Sequence, residues 1–250
     1  TTSPVPAAPG VERIDILAEM SFLTYHSEAN MKCMGIKRKS TGTKLLDNFN
    51  GTMTHQAGYQ LAACLEYCWW DSMVPFFPGI CLFARHEAPR QVVVAFRGTS
   101  QGGDIFIDKK TLWEAQVPSS FFFWAAQYVS YFRQRQYSVL TTGHSLGGYL
   151  AELTATHFLI PGAGFTSFGV DRDGALHSGR RYGLTPHPRF HILNAKFDPL
   201  ANLRWPKVDH ARMPIFMERP AHDTLEWFRR RLPNDTWNPF HIVSSQVPFL

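Results

Sequence analysis

Charge is scarce in this sequence: Asp, Glu, Lys and Arg make up 18% of its 250 residues, against 44% hydrophobic residues. A disordered chain would show the opposite balance, so the composition points to a packed globular protein. Long hydrophobic runs are missing as well. The stretches VPFFPGICLF and SSFFFWAAQYVSYF are too short or too interrupted to match the roughly 20 apolar residues of a spanning helix. No transmembrane segment is therefore expected, and the chain reads as soluble. Cysteine is rare. Cys33, Cys64, Cys68 and Cys81 are too few for a disulfide scaffold in a chain of this length. Cys64 and Cys68, four apart in LAACLEYCWW, would share one helix face and read as buried free thiols. No second Cys or His pair stands at zinc spacing, so no metal is expected. Internal repeats and low-complexity tracts are absent too.

The charge that is present leans basic, with 25 Lys and Arg against 20 Asp and Glu, a net +5 with histidines neutral. It is spread out except at FRRRLP, residues 228–233, where a solvated helix end is a sufficient explanation. A mild excess of this kind favours loose, transient contact with an anionic surface such as a phospholipid bilayer. Nucleic acid is not an expected partner, because no recognised binding module surrounds the basic residues. The length suits one domain, residues 11–250, behind a flexible arm TTSPVPAAPG at 1–10 that has no signal-peptide character. Two N-glycosylation patterns, Asn50-Gly51-Thr52 and Asn234-Asp235-Thr236, are common by chance and leave secreted and intracellular locations both open.

Hydrophobic spacing sets out the elements. VERIDILAEMSFLTYH places Ile14, Leu17, Ala18, Met20, Phe22 and Leu23 as an amphipathic helix would. Residues 27–58 are polar and without a clear period. YQLAACLEYCWW reads as a second helix. GICLFARHEAPRQVVVAFRGTS reads as two strands joined at EAPR, the second apolar on both faces as a central strand is. A helix is expected over 119–135, a strand at YSVLTTG, a helix at SLGGYLAELTATHFL stopped by PGAG, and strands at FTSFGV and RFHILNAKFD. Beyond residue 199 prolines break the chain into short pieces. Strands alternating with helices predict an α/β fold: a mostly parallel central sheet with helices on both faces.

Within that pattern, Gly143-His144-Ser145-Leu146-Gly147 matches G-x-S-x-G, the nucleophile elbow. A sharp strand-to-helix turn holds its central residue in a strained conformation and pushes the hydroxyl outward. Side chains two residues to either side would strike neighbouring backbone, which explains the glycines. The helix that follows aims its unpaired N–H groups and positive dipole end at the same point. An oxyanion would form there, and Leu146 N–H is the natural first donor.

VVVAFRGTS followed by TTGHSLGGYLAEL resembles the class 3 lipase family, the group that contains the fungal triglyceride lipases. RFHILNAKFDPLANL resembles that family's next segment, a strand carrying Asn that runs into Asp-Pro. The resemblance covers roughly residues 12–204 and implies the α/β-hydrolase fold. It also implies that Thr99, the residue after Arg-Gly, is the second oxyanion donor.

An alcohol is a weak nucleophile near neutral pH, so Ser145 needs a base, and the base needs an orienting carboxylate. In hydrolases of this fold the chain order is Ser, acid, His. Asp198 follows a strand and precedes Pro199, which makes it the favoured acid; Asp171, after FTSFGV, is the runner-up. His157 lies inside the helix after Ser145, and His177, His187 and His191 precede Asp198. The family places its base in a late loop near the end of the domain, which favours His241 in WNPFHIVSS, with His222 as the alternative base. His144 is read as support for the elbow. The family's lid would fall on SQGGDIFIDKKTLWEAQVP, hinged at Gly102 and Gly103, although an ordinary crossover loop explains that stretch equally well. With 7 Trp, 8 Tyr and 20 Phe, the chain leans toward a lipid ester substrate. The expected activity is a cofactor-free serine ester hydrolase, a triacylglycerol lipase or esterase. An A1-type phospholipase with the same triad and a non-catalytic lipase-like binding protein remain alternatives.

Overall fold

The computed structural model describes residues 14–26, 52–65, 79–98, 119–167, 170–171, 189–195, 208–209 and 215–217. Helix α1, Ile14–Leu23, continues into a 3-10 turn, Thr24–His26. The sequence predicts one apolar stripe here, yet Asp15, Glu19 and Ser21 are buried along with the apolar residues. Hydrogen bonds make that burial tolerable. Glu19 Oε2 accepts from the backbone N–H and the hydroxyl of Thr54, both at 2.7 Å, and Ser21 Oγ donates to the Leu17 carbonyl at 3.0 Å. Thr54 belongs to a short helix α2, Met53–Gln56, capped by Thr52.

Among the described residues, the strands β1 (Gln60–Leu65), β2 (Ile80–Arg85), β3 (Gln91–Phe96), β4 (Ser138–His144), β5 (Gly162–Phe165), β7 (Phe190–Ala195) and β9 (Ile215–Met217) form one sheet in that order. The β1–β2 and β2–β3 pairings are antiparallel, and those from β3 through β9 are parallel. The fold is therefore α/β, with a mixed sheet whose larger part is parallel. A separate antiparallel pair joins β6 (Val170–Asp171) to β8 (Val208–Asp209).

Alternation along β3 distributes its side chains to two cores. Val93 and Ala95 join Ile16, Leu17 and Met20 of α1 on one face. Val92, Val94 and Phe96 join the other face, with Val129 of helix α3 (Ser119–Gln134) and Tyr149 and Leu150 of helix α4 (Leu146–Phe158). All of β3 is buried, and each fully buried Val or Phe contributes about 1.5–3 kcal/mol. Because β3, β4, β5 and β7 run parallel, their carboxyl ends, at Phe96, His144, Phe165 and Ala195, meet along one edge of the sheet. Sites in open α/β sheets gather at that edge. No helix among the described residues is long and apolar enough to cross a membrane.

Three sequence expectations need correction. Gln60–Leu65 is a strand and not part of a helix: it pairs with β2 in a register that shifts between Leu61 and Ala63. That bulge breaks the simple alternation, so the apolar spacing imitates a helix. Cys64 and Cys81 are not free thiols; they stand opposite each other across β1 and β2 and form a disulfide. Cys33 and Cys68 lie outside the described residues. The strand expected at FTSFGV starts earlier, at Gly162. A Cβ on Gly162 would strike the Thr141 carbonyl, so the PGAG that halts α4 also lets β5 lie close against β4. The chain leaves the sheet just after Phe165, where Thr166 adopts φ 52.

Candidate active site

The site is built where β4 passes into α4. Ser145, between them, has φ 56 and ψ −124, a backbone region costly to any residue with a Cβ, on the order of 1–3 kcal/mol. Surrounding bonds hold it there. Its N–H donates to the Phe165 carbonyl at 2.9 Å, and its carbonyl accepts from Tyr149 N at 3.1 Å to start the helix. Close approach explains the flanking glycines: a Cβ on Gly143 would meet the Gly147 carbonyl, and one on Gly147 would meet the Phe96 carbonyl. Helix α4 is thereby drawn down against β3 and β4. Ser145 itself is 4% exposed.

The end of β3 comes to the same point. Arg97 N donates to the Gly79 carbonyl at 2.8 Å, and the Arg97 guanidinium Nε donates to the Gly98 carbonyl at 3.3 Å. A Cβ on Gly98 would lie 3.2 Å from Ser145 Cβ and would strike both Tyr25 Oη and the His144 carbonyl. Gly98 is thus the point at which the Arg-Gly corner presses against the serine. Tyr25 also lies 2.9 Å from His144 Nδ1 through its hydroxyl, with the two rings edge to face at 5.9 Å. Sequence reasoning missed Tyr25, and no local signal marks it: it follows α1 and reaches the elbow only through the fold.

The structure brings together Gly98, Ser145, His144 and Tyr25, with Leu146 next to Ser145 at the start of α4. Thr99 directly follows Gly98 and lies outside the described residues. So do Asp198, three positions beyond Ala195 at the end of β7, both candidate bases, His241 and His222, and the expected lid at 100–118. Asp171, the runner-up acid, sits in β6 with its backbone paired to Val208.

No protein-family model matches the sequence, and no curated protein does. Solved structures do show similarity. A Rhizomucor miehei lipase propeptide complex aligns over 81% of this chain at 13% identity and TM-score 0.41, and this chain spans only 66% of that one. Lipase II from Rhizopus niveus aligns over 76% of this chain and 72% of its own, at 15% identity and TM-score 0.43. A fungal lipase–inhibitor complex aligns over 84% and 82%, at 15% identity and TM-score 0.45.

Proposed function

We propose that this chain is a serine carboxylic-ester hydrolase of the α/β-hydrolase fold, similar to class 3 lipases, acting on lipid esters. The observation that carries this reading is the backbone of Ser145, a strained residue at φ 56 between a buried strand and a helix N-terminus. Strain of this kind persists only where the surroundings enforce it, and it gathers at functional positions.

In the proposed reaction Ser145 Oγ attacks the ester carbonyl. His241 takes the serine proton and passes it to the leaving alcohol, while Asp198 holds the imidazole in the right tautomer. The Leu146 and Thr99 N–H groups stabilise the oxyanion, each such donor contributing about 2.7–4 kcal/mol. Water, activated by the same base, then releases the acid from the acyl-enzyme. The cycle needs no cofactor.

Hydrolysis of a series of p-nitrophenyl acyl esters, short to long, with Ser145→Ala as control, tests this reading. Turnover by the wild type that vanishes in the variant is the expected result. The preferred chain length then separates lipase from esterase, and assay on defined phospholipids separates the A1-type phospholipase. Absence of turnover on every chain, with lipid or detergent present, would overturn the enzyme reading in favour of a lipase-like binding protein.

A further inference from the structure

Asn194 lies on β7 with no exposed surface. Its side-chain amide faces the backbone of Ser167 and makes two bonds. Ser167 N–H donates to Asn194 Oδ1 at 2.9 Å, and Asn194 Nδ2 donates to the Ser167 carbonyl at 3.0 Å. The amide thus supplies what a neighbouring main chain would have supplied in a longer β5. The reason for the substitution is nearby. β5 pairs with β7 as far as Phe165 opposite Leu193, and Thr166 N still donates to the Leu193 carbonyl at 2.8 Å. Thr166 then turns left-handed, at φ 52, and the chain departs.

That turn also holds the candidate nucleophile. Phe165, one residue before Thr166, is the residue whose carbonyl accepts the Ser145 N–H. Ser167 packs on the helix that starts at the elbow: a Cβ on Gly148 would lie 3.1 Å from Ser167 Cβ, and Ser167 Oγ lies 3.5 Å from Glu152 Oε2. We propose that Asn194 is a positioning residue for Ser145: its amide clamps the exit of β5, and the clamped Phe165 carbonyl fixes the backbone of the serine. The catalytic part of this inference rests on the hydrolase reading above. Losing the amide leaves two buried backbone groups without their Asn194 partners. The left-handed turn then relaxes, and Phe165 and Ser145 shift with it. A misplacement of about 1 Å at a reacting group can lower the rate by as much as 10²-fold.

The test compares wild type, Asn194→Ala and the isosteric Asn194→Asp with Tyr59→Phe. That last variant removes a buried 2.6 Å bond from Tyr59 Oη to Gln91 Oε1 at the far end of β3. Both Asn194 variants are expected to lose kcat by roughly 10–100-fold while KM stays within about twofold, the split that marks loss of transition-state stabilisation alone. Tyr59→Phe is expected to lose thermal stability and keep kcat. A kcat in the Asn194 variants no lower than in Tyr59→Phe would overturn the proposal. Should Asn194→Ala fail to fold, Asn194→Asp keeps the shape and loses the Nδ2 donor, so it decides alone. Amide hydrogen exchange adds a readout independent of turnover. The Ser145 amide is expected to exchange faster in the Asn194 variants and not in Tyr59→Phe, and unchanged exchange would overturn the clamp. A wild type that turns over no ester would instead count against the hydrolase reading, with Ser145 exchange still deciding the clamp.

Discussion

Tyr25 Oη and His144 Nδ1 lie 2.9 Å apart although 119 positions separate them in the chain. The contact runs from the end of the first helix to the residue before Ser145, and Gly98 lies against both partners. The strand-to-helix turn is therefore braced by Tyr25, a side chain that lies outside the G-x-S-x-G pattern. Tyr25→Phe keeps the ring and removes the oxygen, leaving a part-buried imidazole nitrogen without this partner. A loss of about 1–3 kcal/mol is expected. Thermal denaturation would show it as a fall in Tm of about 2–4 °C per kcal/mol for a chain of this size. An unchanged Tm would mean that the bond contributes nothing to stability.

Gly98→Ala tests the closeness of the Arg-Gly corner. A methyl group there collides with Tyr25 Oη and with the His144 carbonyl, and overpacking of this kind costs about 1–3 kcal/mol. The variant should be destabilised and slow in ester hydrolysis. The double variant Gly98→Ala with Tyr25→Phe should recover only part of the loss, because the His144 carbonyl is still in the way. Full recovery would show that the hydroxyl alone sets the limit.

Ser145→Gly should separate stability from activity. Glycine adopts φ 56 freely, so removing the side chain relieves strain, and a gain of about 1 kcal/mol in unfolding free energy is expected. Turnover should vanish at the same time. Ser145→Ala should also be inactive, without the gain. Equal stability in the two variants would argue that the turn stores no strain.

The proposed acid and base are separable by kinetics. Asp198→Asn is expected to lower kcat by about 10⁴-fold through the wrong imidazole tautomer, and His241→Ala should lose activity to a similar degree. His222→Ala should stay active. Normal turnover in His241→Ala beside a dead Asp198→Asn would move the base to His222.

The cross-strand disulfide carries its own prediction. Cys64 and Cys81 are 17 positions apart, and closing a loop of about 15 residues stabilises by about 3 kcal/mol in the chain-entropy view. Replacing both with serine should lower the unfolding midpoint in denaturant. Peptide mapping without reductant should recover the two cysteines in one linked fragment; their recovery as separate thiols would contradict the pairing.

Local pattern by itself determined much of this protein. The apolar run of β3, the helix at 119–134, and the strand, serine turn and helix around residue 145 were all legible, because each rests on short-range periodicity or on a close approach that only glycine allows. What misled was local pattern altered by a distant partner. A bulge against β2 turned an alternating strand into an apparent helix at Gln60–Leu65. The same pairing set Cys64 opposite Cys81, and spacing along the chain says nothing about that. The close approach of β5 to β4 gave Gly162 a role that reads locally as a helix stop. Tyr25 and Asn194 were invisible as supports of the serine for the same physical reason. A side-chain hydrogen bond acts over about 3 Å in space, and only the packed sheet brings residues 25, 144, 167 and 194 within such distances.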